Sequence, residues 1–246
     1  MNGNIGKQKI VDIIAFAPHP DDAEIGCGGL LIAMKKKGCR TGIIDLTRGE
    51  LSSNGNLETR KKETRRATEI LMLDLRENLD MSDGNIECNM QNKLKIIYVL
   101  RKYTPKIVLF PYLQDRHPDH ENSSKLIKDA VFLSGLSKLE TDMPAYRPNI
   151  VLNYMLHYEF NPSFIVDITE HFEEKVQAIK AYGSQFFSGD SNQAITHIST
   201  KAFKEILYTR ARYFGLKIRA GYGEPYFINS KIKINDPLSF FDYVVY

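Results

Sequence analysis

Apolar residues in this chain fall into short β-branched runs separated by longer stretches with helical periodicity. Ile10 to Ala17 is nearly continuous, which reads as a strand buried on both faces. Ile25, Leu30, Leu31 and Met34 then recur at helical spacing up to Lys37, and Gly38 stands as the C-terminal stop. Thr41 to Leu46 is a second strand. The chain thus opens as strand, helix, strand, the signature of a parallel sheet.

A polar loop holding Arg48, Gly49, Glu50, Ser52, Ser53, Asn54 and Gly55 follows the second strand, and a charged helix runs from about Leu57 to Leu73. A further helix spans Gln91 to Tyr103, and Lys106 to Phe110 is a third strong strand. Leu126, Ile127, Ala130, Val131 and Leu133 return to helical spacing. Ile150 to Tyr158 and Phe164 to Ile168 read as strands, while Thr169 to Tyr182 and Thr200 to Phe214 read as helices closed by Gly183 and Gly215. The pattern is α/β. With no repeat, low-complexity segment or Pro/Gly/Ser linker, the expectation is one domain over residues 1–246, with 221–246 as a β arm or oligomer-contact segment.

Composition narrows the class. At 246 residues with 43% hydrophobic and 26% charged positions, the chain can bury a sizeable core, which sets aside disorder and fibre. Lys plus Arg number 33 against 30 Asp plus Glu, and the short basic runs Lys35–Lys37 and Arg60–Lys62 suit solvated helix faces, so no nucleic-acid partner is expected. Three cysteines without CxxC spacing suggest neither disulfides nor a cysteine zinc site, and a reducing cytoplasm fits. The N-terminal apolar run is too short for a signal peptide or a membrane span, so no membrane partner is expected.

The chemistry concentrates in two segments at strand ends, His19-Pro20-Asp21-Asp22 and Arg116-His117-Pro118-Asp119-His120. They hold three of the six histidines. In open α/β sheets, ligands bind beyond the carboxyl ends of strands, which is where both segments lie. His19 and Asp22 are three apart in a turn leaving a strand and can converge as a zinc ligand pair; either His117 or His120 can complete a three-ligand site open to water. Asp21 is then free to act as general base on that water, and the remaining histidine can face a developing oxyanion. A lone Asp before a helix is more often an N-cap. Two His/Asp clusters at two strand ends outweigh that reading. Arg60 and Arg116 are suited to an anionic substrate group, whereas His157, His171 and His197 have no comparable company and are taken as structural or surface residues. Fe(II) suits the same donors as Zn2+.

Ala17-Pro18-His19-Pro20-Asp21-Asp22-Ala23-Glu24 and His117-Pro118-Asp119-His120 resemble the two signature motifs of the LmbE-like, or PIG-L, family of zinc-dependent de-N-acetylases. Asp45 to Gly55, Pro111 to His120 and Tyr182-Gly183-Ser184-Gln185-Phe186 resemble the branch that deacetylates N-acetylglucosaminyl malate in bacillithiol biosynthesis. The resemblance covers most of residues 10 to 215. It implies a Rossmann-like fold with a mostly parallel sheet sandwiched by helices, and a homo-oligomer that in this branch is a hexamer. It further implies His19, Asp22 and His120 as metal ligands, Asp21 as base, and His117 as the oxyanion stabiliser. Asp119 would orient His117 or hold a sugar hydroxyl, Arg60 and Arg116 would grip substrate carboxylates, and Arg147 would line the site. The implied partner is a small N-acetylated amino sugar. Another N-acetylsugar, or a sugar-thiol S-conjugate, would keep the chemistry and change the substrate. A non-catalytic sugar-binding subunit could keep the fold, but it would have no need of Asp21.

Overall fold

The computed structural model describes residues 11–186 and 194–241. Its centre is a seven-stranded sheet in the order β3-β2-β1-β4-β5-β7-β6. The strands are β1 (Ile13–Ala17), β2 (Thr41–Asp45), β3 (Leu75–Asn78), β4 (Ile107–Pro111), β5 (Ile150–Tyr154), β6 (Phe164–Asp167) and β7 (Gly223–Phe227). The pairs from β3 through β5 are parallel, and β7 runs antiparallel to both β5 and β6. The α/β, mostly parallel architecture is the expected one.

Helices cover both faces: α1 (Asp22–Lys36), α2 (Leu57–Ile70), α3 (Met90–Tyr103), α4 (Pro118–Ser134), α5 (Phe172–Lys180) and α6 (Lys201–Lys217). Strand alternation sorts the core into two layers. Ile14, Phe16, Ile44, Val108 and Phe110 pack against α3 and α4. Ile13, Ala15, Ala17, Ile43 and Leu109 face the layer containing α1, α5 and Phe203 of α6. This two-sided burial explains why the central strands read as continuous apolar runs.

The chain moves from β1 outward to β2 and β3, then crosses to β4 on the other side of β1. The strand order therefore reverses between β1 and β4, and the crevice beyond their carboxyl ends is where such sheets bind ligands. His19-Asp22 leaves β1 and Arg116-His120 leaves β4 at that reversal. Residues 223–227, expected within an arm, instead form β7 inside the sheet; residues 242–246 lie outside the described residues.

α1 departs from a regular helix. Cys27 (φ −145°, ψ 15°) breaks it after one turn, leaving Asp22 to Gly26 as a separate piece in front of a longer helix. Both oxygens of Glu224, on β7, accept the backbone N–H groups of Gly29 and Leu30 at 2.8 and 2.7 Å, so the longer piece has its own N-terminal cap. Gly26 is dictated by a close approach: a Cβ there would lie 2.1 Å from the Tyr154 ring.

Candidate active site

A cavity of about 370 Å³ opens at the β1/β4 reversal, with His19, Asp21, Asp22, His117 and His120 among its lining residues. Asp22 is the first residue of α1, and its Oδ2 accepts from the His19 backbone N–H at 2.9 Å, which folds the turn back on itself. The same oxygen lies 3.1 Å from His19 Nδ1 and 3.3 Å from His120 Nε2. One donor atom from each of these three residues lies within 4.8 Å of the others.

Each histidine is braced from behind. His19 Nε2 donates to Asp119 Oδ2 at 3.2 Å and lies 3.0 Å from Asp83 Oδ1. His120 Nδ1 donates to Asp115 Oδ1 at 2.9 Å. Carboxylates on the outer nitrogens of two imidazoles fix each ring's orientation and tautomer while the inner nitrogens aim at a third carboxylate, an arrangement typical of metal-binding histidines. Burial disfavours a charged ring at both positions. Asp119, Asp22 and Asp83 nevertheless hold His19 well above its ordinary pKa, and Asp22 and Asp115 raise His120 to about 9. The pocket thus favours positive charge where its donor atoms meet, and a donor set of two imidazoles and a carboxylate fits Zn2+ or Fe(II).

Asp21 occupies the N-cap position of α1 without serving as a cap: its side chain makes no capping hydrogen bond, and its backbone sits at φ 129°. For a residue with a Cβ that conformation is strained, and such strain persists where surrounding structure imposes it. Asp21 is buried, its Oδ2 has no hydrogen-bond partner, and Arg60 Nη2 stands 3.3 Å from that oxygen. Burial pushes the Asp21 carboxyl up to about 7, against the pull of Arg60. Arg60 is itself buried and sits over the Tyr182 ring at 5.5 Å.

His117 is the N-cap of α4, with Pro118 in the first turn where a missing N–H costs nothing. Its Nδ1 accepts the Asp119 backbone N–H at 3.2 Å, so the neutral ring carries its proton on Nε2. Burial lowers its pKa, as do the neighbouring His19 and His120.

Two expected placements are corrected. The Asp119 carboxylate neither orients His117 nor faces the cavity: its oxygens accept from the N–H groups of Gly84 (2.7 Å) and Ile86 (3.1 Å) and from His19. Arg147 precedes β5, a strand parallel to β4, and so lies at the opposite end of the sheet from the cavity. There it donates to the Phe132 carbonyl and stacks over that ring at 4.9 Å. Arg116 is exposed and lines the cavity mouth, and Arg60 lines its interior.

Sequence reasoning overlooked several cavity residues. His157 and His197 both line the cavity, whereas His171 lies outside it near Glu174. His157 follows β5, so the strand-end rule that singled out His19 could have found it. Asp115 joins the set: Oδ1 accepts from His120 Nδ1, His157 Nδ1 and the His117 N–H, and Oδ2 accepts from the His157 N–H. Asp83 comes from the loop after β3.

Comparison with known proteins agrees with this geometry. A family model described as PIG-L, GlcNAc-PI de-N-acetylase, matches residues 14–131. Diacetylchitobiose deacetylase of Thermococcus kodakarensis is 30% identical over 186 residues, covering 71% of this chain and 70% of that protein. A probable N-acetyl-alpha-D-glucosaminyl L-malate deacetylase 2 of Bacillus anthracis is 24% identical over 188 residues, covering 71% and 81%. Among solved structures, the conserved protein TT1542 from Thermus thermophilus superposes with a TM-score of 0.85 at 36% identity, covering 93% of this chain and 98% of that one. The chain belongs to the PIG-L, GlcNAc-PI de-N-acetylase family.

Proposed function

We propose that the chain is a zinc-dependent deacetylase that removes the acetyl group from an N-acetylglucosaminide, with N-acetylglucosaminyl malate as substrate. The observation that carries this reading is the pair of carboxylate-braced imidazoles converging on Asp22, with the buried Asp21 carboxylate, ion-paired with Arg60, beside them. His19, Asp22 and His120 would hold the ion. Zn2+ supplies Lewis acidity there, easing the ionisation of water and the build-up of charge on a carbonyl oxygen.

The residues of the chain carry the remaining work. Asp21 takes a proton from water as the water oxygen bonds to the acetyl carbon. The His117 Nε2–H donates to the oxygen that gains charge, a contribution of the oxyanion-hole kind. The C–N bond then breaks as the amine nitrogen takes up the proton held by Asp21, releasing acetate and a free amino sugar. Arg60 holds Asp21 in place from the interior and is available to substrate hydroxyls. Arg116 at the mouth suits the malate carboxylates, and the Bacillus anthracis relative is named for that substrate.

A second reading keeps the chemistry and exchanges malate for a second sugar, favoured by the higher identity to diacetylchitobiose deacetylase. A panel of N-acetylglucosaminyl malate, diacetylchitobiose and N-acetylglucosamine, assayed for acetate with zinc content measured on the same sample, separates the two. Faster release from the malate compound supports the first reading, and faster release from chitobiose replaces it with the second. No acetate from any of the three by the zinc-loaded protein contradicts both.

A further inference from the structure

The segment Tyr182-Gly183-Ser184-Gln185-Phe186 follows α5 and stands behind the cavity, which Gln185 lines. Ser184 grips α2: Glu63 Oε1 accepts its backbone N–H at 2.7 Å, and Glu63 Oε2 accepts its hydroxyl at 2.8 Å. Gln185 Nε2 donates to the Asn54 carbonyl and to Ser184 Oγ, both at 2.8 Å, which ties the loop before α2 to the same turn. Arg60 lies three residues before Glu63 and so on the same face of α2, and the clamp therefore fixes where the Arg60 side chain starts.

The guanidinium at the other end is held by shape. Arg60 is buried, and its Nε and Nη1 have no hydrogen-bond partner among the described residues. Its ion pair with Asp21, Nη2 to Oδ2 at 3.3 Å, is longer than a good charge-assisted hydrogen bond. Two surfaces confine it instead. The Tyr182 ring centre lies 5.5 Å from the guanidinium carbon, within cation–π range. Gly49, at φ +70°, brings the backbone so close that a Cβ there would lie 3.2 Å from both Nε and Nη2. The ring is fixed in its turn. Tyr182 is fully buried, and its hydroxyl donates to Glu24 Oε1 at 2.8 Å and accepts from Arg76 Nη2 at 3.0 Å. Both Asp45 oxygens anchor Arg76, at 2.8 and 2.9 Å. Glu24 lies two residues after Asp22 on α1, so the network that fixes the ring is rooted in the turn that carries Asp21 and Asp22.

We infer that Tyr182 is a positioning residue for the reaction: its ring places the Arg60 guanidinium, and Arg60 so placed orients Asp21 for proton transfer. The inference rests on the proposed deacetylation, and its test reads geometry separately from turnover. The kcat for acetate release is measured with N-acetylglucosaminyl malate or diacetylchitobiose, whichever the wild type turns over faster. The proteins compared are zinc-loaded wild type, Tyr182→Phe, Tyr182→Leu, Arg60→Met and the Arg60→Met/Tyr182→Leu double variant, with zinc content and thermal unfolding recorded on the same samples. Crystal structures of wild type and Tyr182→Leu give the Arg60 to Asp21 distance.

Tyr182→Phe keeps the ring but strips Glu24 and Arg76 of the hydroxyl, so it should melt below wild type and still keep kcat within about threefold. Tyr182→Leu should lose about tenfold or more in kcat, because a small misplacement of a reacting group costs on the order of 10²-fold. Its Arg60 Nη2 should stand beyond about 4 Å from Asp21 Oδ2, outside ion-pair range. Added to Arg60→Met, Tyr182→Leu should change kcat by less than about twofold, since the ring then has no guanidinium to place. Equal kcat losses in the Phe and Leu variants, an undiminished loss on top of Arg60→Met, or an unmoved Arg60 in Tyr182→Leu overturns the inference. If zinc-loaded wild type releases no acetate, the deacetylase reading falls, and the position of Arg60 in the two crystal structures alone decides whether Tyr182 places it. Should Tyr182→Leu fail to fold, Tyr182→Met, whose flexible chain fills irregular gaps, takes its place.

Discussion

Asp115→Asn is the most revealing substitution in the site because it changes charge and leaves shape nearly constant. Asp115 Oδ1 accepts from His120 Nδ1 (2.9 Å), His157 Nδ1 (2.9 Å) and the His117 N–H (3.0 Å), while Oδ2 accepts from the His157 N–H at 2.9 Å. An amide offers a single acceptor oxygen. If that oxygen takes the Oδ1 position, the new NH2 meets the His157 N–H, donor against donor. If the amide turns over, its NH2 faces both imidazoles, and neutral His120 must carry its proton on Nε2, the nitrogen that a metal needs bare. Either arrangement strands a buried donor, costing about 1–3 kcal/mol. Loss of a carboxylate that hydrogen-bonds a metal-ligating histidine weakens metal binding by about 10–100-fold. Competition against a fluorescent zinc chelator should therefore show that loss, and the metal-free variant should melt below wild type. Zinc affinity within about twofold of wild type would refute the claim that Asp115 braces His120 as a ligand.

Three further outcomes follow from the packing. Gly26→Ala would set a Cβ 2.1 Å from the Tyr154 ring, whose hydroxyl is fixed on the Phe16 carbonyl at 2.8 Å; overpacking of this kind costs about 1–3 kcal/mol, read as a lower Tm. Glu224→Ala strips the buried Lys175 of its partner at 2.6 Å and the Gly29 and Leu30 N–H groups of their acceptor. Breaking a buried pair in this way costs about 3–5 kcal/mol, measurable by denaturant unfolding. Arg147→Ala should leave acetate release within about twofold of wild type, because Arg147 lies at the far end of the sheet; a tenfold loss would contradict that placement.

The central strands and both signature clusters were legible because they obey strong local rules. β1, β2 and β4 are buried on both faces and therefore apolar throughout, and their ends mark where the clusters had to be. β3 was not legible: Leu75-Arg76-Glu77-Asn78 is polar because Arg76 is drawn into a buried network with Asp45 and Glu24. β7 escaped because a short segment with Gly223, Glu224 and Pro225 takes its place in the sheet through pairing with β5 and β6, not through its own periodicity. The family resemblance implied that Asp119 would orient His117 or hold a sugar hydroxyl, yet the loop at Gly84 and Ile86, invisible to the motif, holds its carboxylate against His19. His197 gave no signal for the same reason: the segment that brings it to the cavity is tied at Ala194 to Asn54, 140 residues away from Ala194 in sequence.

The most direct test of the central claim compares wild type and Asp21→Asn for acetate release from N-acetylglucosaminyl malate, with zinc measured per chain in both. The account predicts equal zinc content and a fall in turnover of about 10²–10⁴-fold, the scale of a lost general base. Unchanged turnover in Asp21→Asn, or a zinc-loaded wild type that releases no acetate from any N-acetylglucosaminide, would contradict it.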